Sequence, residues 1–352
     1  MARVMVVFGG RSGEHEVSLA SARAITGALG RGGRHEVVPV GITRSGRWVH
    51  SGDPMRELEA GRKELPDGST LRVPGSPATA GEKLPANLGS VDVVFPVLHG
   101  PYGEDGTIQG MLELAGVPYV GSGVLGSAVG MDKITMKKVF AHHGLPQVEW
   151  VGLVRKEWER DPEAQVREIE NTLGYPCFVK PANLGSSVGI EKAEDAEGLR
   201  AALDVAAGLD RRIIVEQGVD AREIEVSVLG NEDPEVSEPG EIQLQGDGFY
   251  DYEAKYVEGG MELRVPAEVP DGITDEIRRV ARTAFEAVDA AGMARVDFFL
   301  ERATDRLLLN EINTIPGFTP TSVYAELWAA SGLPYEDLLE RLIDLALERH
   351  SG

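Results

Sequence analysis

Cysteine is nearly absent from this sequence, which has one residue of that type, Cys177, among 352. A single thiol cannot form an internal disulfide, and its position in an apolar run indicates a buried, inert side chain. The sequence also lacks an apolar run long enough to span a bilayer. The sequence begins with Arg3 close to the N-terminus and a short apolar run that ends at Gly10, which is not the pattern of a signal peptide. We therefore expect a cytoplasmic protein.

Basic residues are scarce relative to acidic ones, because 35 Lys and Arg stand against 57 Asp and Glu and give a net charge of -22. Such an excess repels nucleic acid and anionic lipid, so we expect neither as a partner. Any phosphate group would have to be held by a local cluster of cations. The length and the 42% hydrophobic content predict a globular protein of two or three domains.

The order of apolar segments predicts an α/β fold in three regions. In the first region, residues 1–121, strands and helices alternate, which is typical of a Rossmann-like domain with a parallel sheet. Its predicted strands cover 4–8, 37–42 and 91–98, with a helix after the first strand and another at 107–114. Residues 51–89 are rich in Pro and Gly and lack a pattern, so we interpret them as a surface insertion.

The other two predicted regions are residues 122–216 and 217–352. The second has predicted helices at 132–142 and 163–173 and predicted strands at 177–180, 190–192 and 213–217. The third has predicted strands at 224–229 and 242–244 and predicted helices at 273–288, 323–330 and 335–348.

The strongest chemical pattern is a predicted hairpin in the third region. Its strands cover 295–300 and 307–313, and the turn lies near 303–305. A three-residue turn would pair Arg302 with Arg306 and fix the register of the strands behind it.

That register places Asp297 opposite Glu311 and Arg295 opposite Asn313, and opposed residues share one face of a sheet. Two opposed carboxylates favour a cation between them, and oxygen ligands without sulfur or imidazole suit Mg²⁺. The alternative is a solvated polar face on an edge hairpin. The turn at 314–317 favours the metal site, because it could aim backbone N–H groups at the same point.

A lysine followed by a glycine-rich loop predicts a phosphate site. Lys180 ends an apolar strand, and the loop at 183–189 joins it to another predicted strand. A lysine that extends to solvent from the strand end is the alternative. Lys133 is a weaker candidate, since a surface position is the default for a helical lysine.

Two further patterns indicate other functions. Residues 185–189 match the G-x-S-x-G elbow of hydrolases, with Ser187 as nucleophile, but a strand follows where the elbow needs a helix. Residues 121–126 match the G-x-G-x-x-G dinucleotide fingerprint, with Glu149 about twenty residues later. A nicotinamide-dependent oxidoreductase is therefore the distant alternative, although no second nicotinamide feature accompanies the match.

Several motifs in order resemble those of the D-alanine–D-alanine ligases of the ATP-grasp superfamily, over nearly the full length. They are GGRSGEHEVSL at 9–19, HGPYGEDGTIQG at 99–110, MDK at 131–133, KPANLGSSVG at 180–189, YDYEAKY at 250–256, RVD at 295–297 and EINTIPG at 311–317. The resemblance implies a three-domain ATP-grasp fold, in which ATP lies between the second and third domains.

The resemblance also implies roles for individual residues. Lys133 and Lys180 would contact the nucleotide phosphates, and Glu216 and Glu223 the adenosine. The residues that would hold two Mg²⁺ ions, or Mn²⁺ in their place, are Asp297, Glu311 and Asn313.

The implied amino-acid site includes Glu14, which would bind the ammonium of the first D-alanine with support from Ser186 and Tyr256. For Glu14, stabilisation of the N-terminus of the following helix is the alternative. The other implied residues are His99 beside Glu14, Lys255 and Ser322 at the carboxylate of the second D-alanine, Arg295 at the transferred phosphoryl group, and Gly317 as an oxyanion donor.

The implied reaction joins two D-alanines through a D-alanyl phosphate, for peptidoglycan precursor synthesis. The segment 249–260 would close over the site as a lid. Gln217 departs from the family pattern, in which many members have lysine near the adenine, and Val323 departs where others have leucine. Tyr256 is similar to the residue of amine-selecting members, which leaves D-alanine–D-lactate ligation as the alternative. A homodimer is expected from the resemblance alone.

Overall fold

The computed structural model of the chain describes residues 1–50, 52–60, 91–185, 188–244 and 261–351. The first part contains, in chain order, strand β1 (Arg3–Gly9), helix α1 (His15–Gly32), strands β2 (Glu36–Ile42) and β3 (Trp48–Val49), helix α2 (Pro54–Ala60), strand β4 (Val93–Val97) and helix α3 (Thr107–Ala115). The sheet has the order β3-β2-β1-β4, in which β1 is parallel to both β2 and β4. The predicted parallel sheet is confirmed, with β3 as an antiparallel edge.

Strand β1 is buried on both faces, which is why its sequence is a continuous apolar run. Val4 and Val6 belong to the core cluster that includes α1, whereas Met5 and Val7 belong to the cluster on the side of α3. The chain after β1 is thereby fixed at the carboxyl edge of the sheet, where loops are free to carry functional residues.

The predicted insertion at 51–89 is wrong in part. Residues Pro54–Ala60 form α2, because Leu58 packs into the core against Gly9 and Gly41. Residues 61–90 lie outside the described residues.

The second part contains helices α4 (Val124–Met131) and α5 (Lys133–His142), strand β5 (Trp150–Val154), helices α6 (Arg155–Arg160) and α7 (Pro162–Leu173), strands β6 (Cys177–Pro181) and β7 (Glu191–Ala193), helix α8 (Ala196–Leu209) and strand β8 (Arg212–Gln217). Its sheet is antiparallel throughout, in the order β5-β8-β6-β7. Cys177 is buried with a free thiol, and burial raises the thiol pKa to about 11, which agrees with the inert thiol expected from the sequence.

Helix α8 is the largest element that the sequence reasoning missed. Its buried residues Leu199, Ala202, Leu203 and Ala206 recur at helical spacing. The side chain of Asp195 accepts a hydrogen bond from the Gly198 N–H at 2.8 Å, which is an N-cap. Both signals are present in the sequence, so this helix was predictable.

The third part contains strands β9 (Ala221–Gly230), β10 (Glu235–Val236), β11 (Gly240–Leu244) and β12 (Met261–Arg264), helix α9 (Ile273–Ala287), strands β13 (Gly292–Glu301) and β14 (Leu307–Asn313), and helices α10 (Val323–Ala330) and α11 (Tyr335–Ser351). The sheet has the order β12-β11-β9-β13-β14, and β10 pairs with β9. The predicted strands and helices of this part are confirmed, apart from shifted ends.

Two helices connect the parts of the chain. Helix α11 contributes Leu338 and Leu342 to the core cluster that contains β1, so the last helix packs on the first sheet. Helix α5 contributes Met136 and Phe140 to the core of the third sheet. These contacts bring the three sheets around one cleft.

Within the described part of the chain, none of the helices is both long enough and apolar enough to cross a membrane.

Candidate active site

A cleft of about 1060 Å³ lies where the three sheets meet. Of the predicted site residues that the structure describes, all but Asp297 line it: Glu14, His99, Lys133, Lys180, Glu216, Glu223, Arg295, Glu311, Asn313, Gly317 and Ser322. Ser186, Lys255 and Tyr256, together with the predicted lid at 249–260, lie outside the described residues. The cleft therefore joins residues that are up to about 300 positions apart in the chain.

The hairpin of β13 and β14 has the predicted register at its functional end. Asp297 pairs with Glu311, and Arg295 pairs with Asn313. Val296 on the opposite face is fully buried in the core of the third sheet, as expected from strand alternation. The acidic and amide side chains therefore share the face that borders the cleft.

The predicted three-residue turn is wrong, because Glu301 rather than Arg302 pairs with Arg306. The Glu301 N–H donates to the Arg306 carbonyl at 3.0 Å, and Asp305 adopts a positive φ of 55°. The register shifts by one residue between Asp297 and Phe298, which leaves Asn310 on β14 as a bulge. The longer turn and the bulge offset one another, so the functional pairing is unchanged.

Arg295 is held by two carboxylates on the cleft face. Its guanidinium donates to both Asp297 oxygens, at 2.8 and 2.7 Å, and its Nε lies 2.8 Å from Glu225 Oε2. Asp297 lies beside the main cleft, in a small cavity that Glu225 and Glu311 also line. Glu225 pairs with Asp297 across β9 and β13, so three carboxylates follow one row across adjacent strands.

Sequence reasoning missed Glu225. The signal was the alternation of Glu223, Ile224 and Glu225 at the start of the strand predicted at 224–229, but nothing in the sequence pairs that strand with the hairpin.

The donor set fits a hard divalent cation. Asp297, Glu311 and Asn313 offer two carboxylates and an amide oxygen, and Mg²⁺ bound to nucleotide phosphates commonly uses only one or two carboxylates. Among the described residues, no three Cys, His, Asp or Glu side chains converge as metal ligands. Here Arg295 balances the charge of Asp297, and the Lys133 Nζ lies 3.6 Å from Glu311 Oε2.

A buried cluster of charges forms another part of the cleft wall. Glu216 lies between two lysines, with its Oε1 at 3.0 Å from the Lys137 Nζ and its Oε2 hydrogen-bonded to the Lys180 Nζ. Burial by itself would raise the pKa of Glu216, but the two ammonium groups outweigh it and lower that pKa to about 2. Burial lowers the pKa of Lys180, yet the carboxylates of Glu216 and Glu311 more than offset this, and the pKa is raised.

Lys133 begins α5 and reaches into the cleft. Its Nζ donates to the Leu184 carbonyl at 3.0 Å, which ties α5 to the glycine-rich loop after β6. Asp132 fixes the start of α5, since its side chain accepts from the Thr135 N–H at 2.8 Å and also pairs with Arg212. The surface position that was the default for Lys133 is therefore wrong.

The amino-acid end of the cleft is built around Glu14. Glu14 stands at the N-cap of α1, but its side chain makes no capping hydrogen bond there. Its carboxylate lies against Gly100 and Gly185, where a Cβ would meet Oε2 at 2.8 and 2.9 Å. The absent side chains at these glycines let loops of two different sheets close on one carboxylate.

His99 is buried next to this carboxylate. Its Nδ1 lies 2.9 Å from the Ile315 carbonyl, and among the described residues its Nε2 has no hydrogen-bond partner. Burial lowers the pKa of His99, but Glu104 and Glu14 outweigh it and raise the pKa above the ordinary value. The two acids thus favour the protonated form of His99.

The turn after β14 carries Gly317 and Ser322 to the same end. The Asn313 side-chain oxygen accepts from the Ile315 N–H at 3.1 Å, which orders the start of the turn. Ser322 Oγ accepts from the Thr319 N–H at 3.0 Å and lies 3.4 Å from where a Cβ of Gly317 would stand.

Two family models match the chain, one after the other. The family described as "D-ala D-ala ligase N-terminus" matches residues 3–122, and the family "D-ala D-ala ligase C-terminus" matches residues 139–344. The chain belongs to the D-alanine–D-alanine ligase family.

Three relatives illustrate how similar the chain is to this family. It is 51% identical to a D-alanine–D-alanine ligase of Deinococcus radiodurans over 98% of both chains. It is 33% identical to the D-alanine–D-alanine ligase structure from Coxiella burnetii, with a TM-score of 0.79, covering 100% of this chain and 96% of that one. It is 36% identical to the VanG D-Ala:D-Ser ligase from Enterococcus faecalis, with a TM-score of 0.82, covering 98% of this chain and 99% of that one.

The dinucleotide fingerprint at 121–126 has a packing role in this family member. A Cβ at Gly126 would stand 2.4 Å from the Asp289 carbonyl, and one at Gly292 would stand 3.0 Å from the Gly121 nitrogen. The glycines let α4 press against the turn before β13, so this turn is covered by protein. This packing accounts for Gly121 and Gly126 of the pattern.

The elbow pattern at 185–189 also fails as a hydrolase signature. The loop leads from β6 to β7, which are antiparallel neighbours in one sheet. A nucleophile elbow requires a helix directly after the serine, whereas the residues described from 188 onward lead into β7.

Proposed function

We propose that this chain joins two D-alanines to D-alanyl-D-alanine at the expense of ATP, in the synthesis of peptidoglycan precursors. The observation that carries the proposal is one cleft containing a lysine cluster, an acidic hairpin face and the acid Glu14. Family membership over nearly the whole chain supports the same reaction.

The proposed reaction has two steps, phosphoryl transfer and then acyl transfer. The carboxylate of the first D-alanine attacks the γ-phosphorus of ATP, and ADP leaves, which gives D-alanyl phosphate. The amine of the second D-alanine then attacks the acyl carbon, phosphate leaves, and the amine releases a proton. Both steps place negative charge on oxygens, so cations and N–H donors at these oxygens lower the barriers.

Two groups of this chain's residues would hold the nucleotide. Lys133 and Lys180 are suited to the phosphates because both ammonium groups border the cleft. Glu216 and Glu223 are the proposed adenosine contacts, and Gln217 takes the place of the lysine usual in the family. Arg295 would stabilise the transferred phosphoryl group, and the Gly317 N–H would serve the tetrahedral oxyanion.

Two Mg²⁺ ions are proposed at Asp297, Glu311 and Asn313. When bound, they supply neutralisation of the phosphoryl charge. In the structure Arg295 pairs with Asp297, and in the loaded site Glu225 would keep hold of the arginine while Asp297 faces the metal.

The amino-acid site is proposed to use Glu14 for the ammonium of the first D-alanine, with His99 beside it. Ser322 would hold the carboxylate of the second. From the family resemblance we add Ser186, Lys255 and Tyr256, within a lid that excludes water from the acyl phosphate.

The domain boundaries proposed are 1–121, 122–216 and 217–352, although α11 packs on the first sheet. A homodimer and a cytoplasmic location complete the proposal. Light scattering, which measures the mass in solution, tests the homodimer. Cell fractionation tests the location.

A second candidate differs only in the acceptor. Similarity to a D-Ala:D-Ser ligase at 36% identity makes D-serine a specific alternative, beside D-lactate. Discrimination between such acceptors rests on small differences in the pocket of the second substrate.

The assay that tests the function measures phosphate release with ATP, Mg²⁺ and D-alanine, with mass spectrometry of the product. We expect D-alanyl-D-alanine, and less product with D-serine or D-lactate as the added acceptor. Phosphate release that depends on another amino acid, or a response to NADH alone, would overturn the assignment.

Glu14→Gln separates the two interpretations of Glu14. As an ammonium ligand, its loss removes a charge-assisted hydrogen bond and raises the KM for D-alanine by about 10- to 100-fold. As a helix-end acid, its loss has little effect on activity and lowers the Tm slightly. The matched control is Glu16→Gln in the first turn of the same helix.

A further inference from the structure

Lys137 is a fully buried lysine for which the proposed reaction has no direct use. It lies in the middle of α5, and its side chain has no contact with solvent. Its Nζ is 3.0 Å from Glu216 Oε1 and donates to the Asn310 carbonyl at 3.3 Å. The lysine therefore joins a helix, the strand β8 of the second sheet and the bulge of the metal hairpin.

Burial of an ammonium group is unfavourable unless a partner compensates the charge. Burial lowers the pKa of Lys137 and Lys180 lowers it further, and although Glu216 and Glu311 act in the opposite direction, the pKa stays below its ordinary value. The Coulomb interaction with Glu216 is therefore what holds Lys137 in place. Hydrophobic residues of similar size could fill the same space, so packing alone does not explain why a charged residue occupies this position.

The charges of the cluster indicate a role for the Lys137 ammonium. Glu216 has one negative charge and two ammonium partners, Lys137 and Lys180. With both lysines present, the cluster retains one positive charge at the wall of the cleft. Without Lys137, Glu216 and Lys180 would form a closed neutral pair, and the lysine would have to break this pair in order to bind a phosphate.

We propose that Lys137 is a positioning residue that neutralises Glu216, so that the ammonium of Lys180 stays available to the nucleotide phosphates. Lys137 itself does not touch the nucleotide. This inference rests on the proposed function only in that a nucleotide binds at Lys180.

The contact with Asn310 gives Lys137 a second effect in the same direction. The bulge at Asn310 leaves its carbonyl outside the β13–β14 ladder, and Lys137 donates a hydrogen bond to that carbonyl. Because Asn310 precedes Glu311, the same ammonium fixes the metal hairpin relative to β8. The lysine cluster and the metal hairpin thus share one buried cation.

Calorimetric titration with ADP and Mg²⁺, in the absence of amino acids, tests the proposal. We expect Lys137→Met, which keeps the length and removes the charge, to raise the Kd for ADP by about tenfold. The KM for D-alanine should stay within about twofold of the original value. The matched control is Lys138→Met, which removes the exposed neighbouring lysine on the same helix and should leave the Kd unchanged.

A double variant distinguishes charge balance from simple packing. In the Glu216→Gln background no carboxylate is left for Lys137 to neutralise, so adding Lys137→Met should change the Kd for ADP by no more than about threefold, whatever the loss of the adenosine contact at Glu216 does to both variants. A purely structural role predicts that Lys137→Met weakens ADP binding by about the same factor in both backgrounds. That outcome, or an unchanged Kd in Lys137→Met, would overturn the proposal.

The Tm of each variant is measured alongside, and Lys137→Gln, which keeps a hydrogen-bond donor without the charge, takes the place of Lys137→Met if that variant does not fold. Lys137→Gln should also raise the Kd for ADP by about tenfold, and an unchanged Kd in the folded variant would contradict the proposal. Absence of ADP binding by the unmodified chain would instead contradict the proposed function, so the two failures are distinguishable.

Discussion

The two charged walls of the cleft are built in opposite ways. The lysine wall consists of Lys137, Lys180 and Glu216, from one helix and two strands of the second sheet. The acidic wall consists of Arg295 and Glu311 at the cleft, with Asp297 and Glu225 behind them in the adjoining small cavity, from three adjacent strands of the third sheet.

The first wall has an excess of cations and the second an excess of carboxylates. A bare anion therefore suits the lysine wall, while the acidic wall needs added cations before a triphosphate can lie against it. The difference teaches that one cleft can hold a polyanion although the chain as a whole is strongly acidic.

The largest effect is expected from a break in the acidic wall. Glu311→Gln removes one proposed metal ligand and should lower kcat by about 100-fold and shift the Mg²⁺ dependence of phosphate release to higher concentrations. The control is Glu301→Gln, at the turn end of the same hairpin, where the acid pairs with Arg306. An unchanged Mg²⁺ dependence would show that Glu311 does not bind the metal.

A break in the lysine wall should have a different signature. Lys180→Met removes a charge-assisted contact to phosphate and should raise the KM for ATP by about 10- to 100-fold, with the Mg²⁺ dependence unaltered. Lys192→Met on neighbouring β7 is the control, since its ammonium is exposed and pairs with Glu194. If both wall variants shifted the Mg²⁺ dependence equally, the division into two walls would be wrong.

Glu225→Gln sharpens the comparison within the acidic wall. Arg295 would lose the carboxylate that holds it when Asp297 faces a metal, so kcat should fall by about fivefold while the KM for ATP changes little. Steady-state kinetics with saturating Mg²⁺ measure this. Glu235→Gln, at an exposed acid that pairs with Arg341, provides the control. A similar fall in kcat in this control would show that the effect of Glu225→Gln does not act through Arg295.

The smallest effect concerns His99, which belongs to neither wall. Because Glu104 and Glu14 raise its pKa above the ordinary value of about 6.5, the protonated form is favoured in the folded state. Its stabilisation is complete below about pH 6.5 and is lost as the pH rises through the raised pKa.

The Tm difference between the unmodified chain and His99→Gln should therefore shrink by a few degrees, about 2–4 °C, between pH 6 and pH 9. Thermal melts across this range measure it, and His142→Gln, at an exposed histidine, serves as control. A difference that grows with pH would contradict the assigned sign.

Most of the fold could be predicted from local patterns. The first sheet follows from apolar strands that alternate with amphipathic helices, and the ends of α10 agree with the predicted 323–330. The predicted pairing of Asp297 with Glu311 is also correct, although it was derived from a three-residue turn that the structure does not have.

The turn of that hairpin was not predictable in the same way. A four-residue turn with a bulge at Asn310 gives the same pairing at Asp297 as a three-residue turn without one. The bulge is stabilised by partners outside the hairpin, since the Leu309 N–H donates to the Pro146 carbonyl at 2.7 Å and Lys137 donates to the Asn310 carbonyl. Contacts of this kind leave no periodic signal.

The sequence by itself determined the order of elements, the paired acids of the hairpin and the motifs that identify the family, because these depend on neighbours in the chain. Only the tertiary structure decided that Glu216 lies between Lys137 and Lys180, and that Glu225 shares Arg295 with Asp297. Charge pairing depends on distance and burial, and both are fixed when separate sheets pack around one cleft.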